Sequence, residues 1–189
     1  MGCMARLAIA LTCLAAGGIS RLEDRAALMD LMTDYARAVD AKDWRAYLAV
    51  FEEEAWVNYE PSGGVSGKVE EVQIWMAKVF TFMGPAQHLL GNFEFYWDEA
   101  NEDLCIVRCL FHNPVRIWWF PLAQPFFSCG GWYVNRMERK NGLWKIAELN
   151  QEMAYNGVFL AVVWWIGVFG CLGLLASRRF WKNTRAKAD

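Results

Sequence analysis

The chain has only two histidines, His88 and His112. No other type of side chain ordinarily changes charge close to neutral pH. An imidazole with an ordinary pKa of about 6.5 can take a proton from carbon and return it to a departing oxygen. Two further kinds of group would help it. A carboxylate accepting from one ring nitrogen fixes the tautomer and favours the protonated ring. Tyrosine hydroxyls in a dry pocket hold a developing oxyanion. Tyr35 and Tyr59 are of the right type, and Asn58, Asn92 and Asn135 are candidate polar groups of a pocket wall. Each has a plainer use. Tyr35 lies on an apolar helical stripe and suits core packing. Tyr59 precedes a turn and suits anchoring it, and His112, between Phe111 and Pro114, suits a structural place in a bent strand. Six cysteines include no CxxC spacing, so no metal centre is expected. Cys105 and Cys109, four apart on a predicted strand, face one side but are too far apart to bond each other.

The elements that must carry these groups are helical first and extended later. Ser20-Arg21-Leu22-Glu23 has the form of a capping box. The helix after it shows Leu28, Met32, Tyr35 and Val39 on one face. A short second helix is predicted over Asp43–Phe51, and Asp40 could serve as a cap for it. Ala55–Tyr59 reads as a strand closed by Pro61-Ser62-Gly63-Gly64. Val69–Met83 reads as a helix with Val72, Trp75, Met76, Val79 and Phe80 on one stripe. Strands follow at Gln87–Trp97, Leu104–Phe120 and Phe126–Lys140. Asn141-Gly142 then signals a hairpin into Leu143–Asn150. The pattern predicts an α+β fold with a strongly curved antiparallel sheet wrapped on three N-terminal helices, leaving a cone-shaped cavity between them.

Composition and the two ends set the wider organisation. Net charge is −2 and basic residues cluster only in the last dozen positions, which argues against nucleic-acid binding. Hydrophobic residues make up 56 %, high for a simple soluble domain. Part of the excess lies at the ends. Gly157–Ala176 is an uncharged apolar run, about 30 Å long as a helix and so matched to a bilayer core. Arg178, Arg179, Lys182, Arg185 and Lys187 follow it. The expected layout is an apolar N-terminal segment over 1–19, a domain over 20–152, a transmembrane helix over 157–176 and a basic tail over 177–189. Leu7–Ala16 suits a signal-peptide core, with cleavage after Gly17. A short acylated or packed N-terminal segment is the other reading. The basic tail points to a cytoplasmic C-terminus and hence a single-pass protein with its domain on the non-cytoplasmic side. A cytoplasmic domain with a tail anchor is the alternative. Trp118, Trp119 and Phe120 form an apolar group that suits a pocket lid or a membrane contact.

Four segments carry a family resemblance. Asp34-Tyr35-Ala36-Arg37-Ala38-Val39-Asp40-Ala41-Lys42-Asp43-Trp44 resembles the first helices of SnoaL-like (nuclear transport factor 2-like) proteins. Gln87-His88-Leu89-Leu90-Gly91-Asn92 resembles their histidine-bearing strand, and Gly130-Gly131-Trp132-Tyr133 with Asn141-Gly142-Leu143-Trp144-Lys145-Ile146 their last hairpin. Within that superfamily the polar residues resemble those of the scytalone and bile-acid 7α-dehydratases. The resemblance implies catalytic roles for His88, Asp40, Tyr35 and Tyr59; Trp44, Asn58, His112 and Tyr133 are the candidate substrate contacts. Val39 and Met153 stand where those enzymes keep a tyrosine and an arginine, and His112 is out of register with a second histidine. The implied function is a lyase or isomerase, needing no cofactor, for an apolar hydroxylated substrate. The alternative is a non-catalytic module that binds a hydrophobic small molecule, or pairs with a second copy through its open sheet face. The fold hosts both.

Overall fold

The structure is a computed structural model. It describes the backbone of residues 2–117 and 127–158, and the side chains of 21–116 and 127–157. The group Trp118–Phe120, the apolar run from 159 onward and the basic tail lie outside the described residues.

A single helix, α1, runs from Gly2 to Ala41. The predicted start at Ser20 is therefore not a helix end. The segment before it is rich in Ala and Leu, the strongest helix formers, and the helix runs on through Gly17 and Gly18 despite their low propensity. The predicted stripe is the buried face, with Leu28, Met32, Tyr35 and Val39 all at most 1 % exposed. The helix ends where Lys42 takes a left-handed conformation (φ 58°). The Lys42 ammonium then donates to the Phe80 and Met83 carbonyls at 2.9 and 2.6 Å. That tie fixes the end of α1, and Asp40 with it, against the next helix-to-strand junction. Asp43, not Asp40, caps the short helix α2 (Trp44–Ala49), its carboxylate accepting from the Ala46 N–H at 3.0 Å.

Strand β1 (Phe51–Asn58), a 3-10 turn at Glu60–Ser62 and strand β2 (Ser66–Lys68) precede helix α3 (Val69–Val79). So only two helices precede the sheet. Then come β3 (Met83–Ala86), β4 (Leu89–Trp97), β5 (Leu104–Ile117), β6 (Phe127–Lys140) and β7 (Leu143–Val158). The seven strands form one sheet in the order β2-β1-β7-β6-β5-β3, with β4 also on β5. The fold is α+β, a curved half-barrel closed by helices. The sheet is mixed, because β1 pairs parallel with β7 while the other pairs are antiparallel. The predicted all-antiparallel sheet is corrected there. The long connection from β1 through α3 lets the chain return in the same direction.

Two features of the long strands matter for the site. Asn141 and Gly142 both have positive φ (54° and 79°), the two-residue turn that matches strand twist. Register slips between Gly130 and Gly131, where a Cβ on Gly131 would run into the Glu152 carbonyl. The Gly-Gly pair thus lets β7 approach β6 at a bulge. Strand β7 also runs past the predicted end at Asn150 to Val158, pairing Ser128 with Gly157 and Phe127 with Val158. The first two residues of the predicted transmembrane run are therefore sheet. Among the described residues, no helix is long and apolar enough to cross a membrane.

Candidate functional site

Strands β3 and β4 share one edge of β5 and are separated by Gln87 and His88. At this break the His88 N–H donates to a side chain. It goes to Asp40 Oδ2 at 3.0 Å, while the His88 ring Nδ1 lies 2.6 Å from Asp40 Oδ1. One carboxylate at the C-terminal end of α1 thus holds both the backbone and the ring of one residue. The His88 side chain is 3 % exposed and Asp40 is 27 % exposed. With Nδ1–H donated to Asp40, Nε2 carries a lone pair, and Asn113 Nδ2 donates to it at 3.0 Å.

Beside this relay is a cavity of about 260 Å³ between the sheet and the helices. Val39, Met76, Val79, Phe80, Val115 and Phe127 give it an apolar wall. Tyr35, Tyr59, Tyr133, His88, Asn113 and Gln151 give it polar points. The Tyr59 hydroxyl lies 2.8 Å from that of Tyr35 and 3.3 Å from that of Tyr47. Tyr133 meets Tyr35 edge-on at 5.5 Å between ring centroids, and Tyr35 meets the His88 ring at 6.3 Å. Burial pushes all four phenols well above their ordinary range, so at neutral pH they are donors and not phenolates. Burial also lifts Cys129, on the cavity wall, to about 11. It is a neutral thiol, a poor nucleophile.

The raised phenols carry a pH prediction. A group whose folded pKa exceeds its unfolded value stabilises fully below the unfolded pKa and ceases to do so as pH rises through the folded one. By that rule the tyrosine contribution is flat up to about pH 10 and falls beyond it, after an earlier decline from about pH 9 brought by the buried thiols Cys105, Cys109 and Cys129, which burial also raises. Denaturant midpoints taken from about pH 8 to about pH 11 should show that fall, and less of it in Tyr35→Phe. An equal fall in both proteins would assign it to other groups.

The structure brings together five of the eight residues singled out from sequence: His88, Asp40, Tyr35, Tyr59 and Tyr133. Three are elsewhere. Trp44 is not on the cavity wall; its ring packs edge-on against Phe80 and Tyr47 at 5.6 and 6.2 Å. Asn58 is not there either; its Oδ1 accepts from the Glu60 N–H at 3.0 Å and shapes the turn. His112 points to the opposite side of the sheet, against the Tyr155 hydroxyl. Its neighbour Asn113 takes the inward place, because Cys105, Val107, Cys109, Phe111 and Val115 are the buried parity of β5. Asn92 is exposed at a bulge with φ 49°, and Asn135 is buried with Nδ2 on the Val107 carbonyl at 3.3 Å. Sequence reasoning missed Asn113, Tyr47 and Gln151. The strand alternation was the signal for Asn113.

The curved sheet closed by helices is the architecture of the nuclear transport factor 2-like superfamily. Residues 20–150 match the SnoaL-like domain family, and the chain belongs to it. It is 27% identical over 128 residues to an uncharacterized protein of Mycobacterium tuberculosis, covering 68% of this chain and 84% of that one. Among solved structures it is similar to the type 2 hexachlorocyclohexane dehydrochlorinase LinA, with TM-score 0.64, 21% identity and coverage of 75% and 93%. It is also similar to a Novosphingobium aromaticivorans protein described provisionally as a scytalone dehydratase, with TM-score 0.64, 18% identity and coverage of 75% and 91%. These structural likenesses show the fold.

Proposed function

We propose that the chain is a dehydratase or isomerase, needing no cofactor, that works on an apolar hydroxylated substrate through His88 and Asp40. The observation that carries this reading is the 2.6 Å contact between Asp40 and His88 Nδ1 at the wall of an apolar cavity. In the reaction, His88 Nε2 takes the proton from carbon next to a carbonyl. Asp40 stabilises the imidazolium that results. The neutral tyrosine hydroxyls hold the developing enolate oxygen. The imidazolium then gives its proton to the leaving hydroxyl, the C–O bond breaks, a C=C bond forms and water departs. In an isomerase the same proton returns to a different carbon. The named solved neighbours include a dehydrochlorinase and a protein described as a dehydratase, both elimination chemistries, which supports the class.

The test is incubation with bicyclic β-hydroxy ketones in deuterated solvent. Deuterium should enter the α carbon and the enone absorbance should rise. Absence of both across a broad panel would leave a ligand-binding module, the reading favoured by the Asn113 bond that already engages His88 Nε2.

The same proposal includes a membrane tether beginning after Val158. The uncharged residues 159–176 would reach about 27 Å as a helix, enough for a thin bilayer core. The basic residues after them favour a cytoplasmic C-terminus, with the N-terminal segment as export signal. Deletion of residues 159–189 is expected to move the protein from the membrane fraction to the soluble fraction. Unchanged retention in a chain that also lacks residues 1–19 would remove the tether.

A further inference from the structure

The contact between Asn113 and His88 also orients the amide. In the neutral ring that donates Nδ1–H to Asp40, Nε2 of His88 is an acceptor, so the amide nitrogen of Asn113 faces it and the amide oxygen points away. That oxygen is buried and has no partner, and the same is true of Gln151 Oε1. Both residues are 9 % exposed and both line the cavity. An unpaired buried carbonyl oxygen is unfavourable. Asn135 Oδ1 is also unpaired but lies off the cavity wall, whereas the Asn113 and Gln151 oxygens are where a ligand in the cavity can bring donors. They stand well apart. Asn113 on β5 faces Cys129 on β6, while Gln151 on β7 faces Tyr133 of the same middle strand. Two strand spacings alone separate them by roughly 10 Å. One small polar group cannot serve both.

We propose that the cavity recognises a substrate with two hydrogen-bond donors, hydroxyl or N–H, at opposite ends of an apolar body, one donating to Asn113 Oδ1 and the other to Gln151 Oε1. The inference rests on the cavity being the substrate site. The end held by Asn113 lies beside the His88 ring. The end held by Gln151 is remote from it and selects which molecules seat productively. Water could fill the same two stations in the absence of ligand, and the test separates the two cases.

Three probes of one shape differ only in donors: para-xylene, para-cresol and hydroquinone. Their affinities are measured by calorimetry for the full chain, Gln151→Met and Asn113→Leu. Each substitution is expected to weaken hydroquinone about tenfold, the loss of one hydrogen bond, and to leave para-xylene unchanged or tighter. Para-cresol should fall between them. Equal changes for all three probes would overturn the proposal, as would hydroquinone binding unaffected by either substitution or absent from the unsubstituted chain. Should Asn113→Leu fail to fold, Gln151→Met decides alone, because it lies away from the imidazole. Repeating the titrations in His88→Ala distinguishes the two readings. Retained donor dependence with no turnover by the unsubstituted chain would remove the enzyme and keep the donor stations.

Discussion

His88→Ala is expected to lower turnover of any substrate by about 10²- to 10⁴-fold, the usual contribution of a positioned acid/base group, while the circular dichroism of the protein stays the same. The fold should tolerate the change because the ring lies in a break between two strands and at a cavity wall, where truncation enlarges an existing space. The backbone bond from residue 88 to Asp40 Oδ2 does not need the ring. Asp40→Asn should reduce turnover by a comparable factor. Its single amide oxygen can still meet the backbone N–H, but its NH2 then faces Nδ1, which moves the ring proton to Nε2 and removes the lone pair that acts as base. If His88→Ala keeps full activity, the relay is structural and the chemistry lies elsewhere. Steady-state kinetics with a β-hydroxy ketone that the unsubstituted chain turns over supplies the measurement.

Asp24→Ala is expected to reduce unfolding free energy by about 3 kcal/mol, the low end for breaking a buried ion pair. Asp24 is 9 % exposed on α1. Its Oδ1 accepts from Trp144 Nε1 at 2.9 Å and from Arg139 at 2.8 Å. Those partners stand on either side of the β6–β7 turn, and Arg139 also lies over the Trp144 ring at 5.1 Å. One carboxylate therefore fastens the long helix to the far end of the hairpin. Removing it leaves an indole N–H buried without an acceptor. The Arg139 charge keeps Asp103, at 2.6 Å, which is why the larger penalties of that class are not expected. Asp24→Asn should recover part of the loss, because an amide oxygen can still accept both bonds. Urea midpoints at constant slope provide the comparison. A change below about 0.5 kcal/mol, the range of ordinary surface substitutions, would show that water replaces the carboxylate.

The candidate site was legible in proportion to how local its determinants are. The face of α1 that carries Tyr35 follows from helical periodicity, and its burial agrees with that spacing. The Asn141-Gly142 turn follows from dihedral preference. His112 and Asn113 show the opposite case. Strand parity favours Asn113 as the inward residue, but a histidine attracts a chemical reading whichever way it points, and His112 faces the other side of the sheet. Asn58 is a candidate by residue type and Trp44 stands in a motif of the resemblance, and their side chains are used locally, in a turn and in aromatic packing. The length of β7 is not legible because Gln151-Glu152-Met153-Ala154-Tyr155-Asn156 shows no clear strand alternation, and the apolar residues after Asn156 look the same whether they pair with a strand or enter a lipid core. Pairing with Phe127 and Ser128 decides for Gly157 and Val158.

Local patterns along the chain suffice for the α+β class, the inward stripe of α1, the hairpin turn and the residue types able to move a proton. These depend on periodicity and on short-range backbone preference, which act within a few residues. That Asp40 reaches His88 across 48 positions is a product of the assembled fold. The same assembly set β1 parallel to β7, turned Asn113 onto the imidazole and left two amide oxygens unpaired in the cavity. Those outcomes depend on how a curved sheet closes against helices, and no spacing along one chain encodes the distance between two elements that meet only when the core forms.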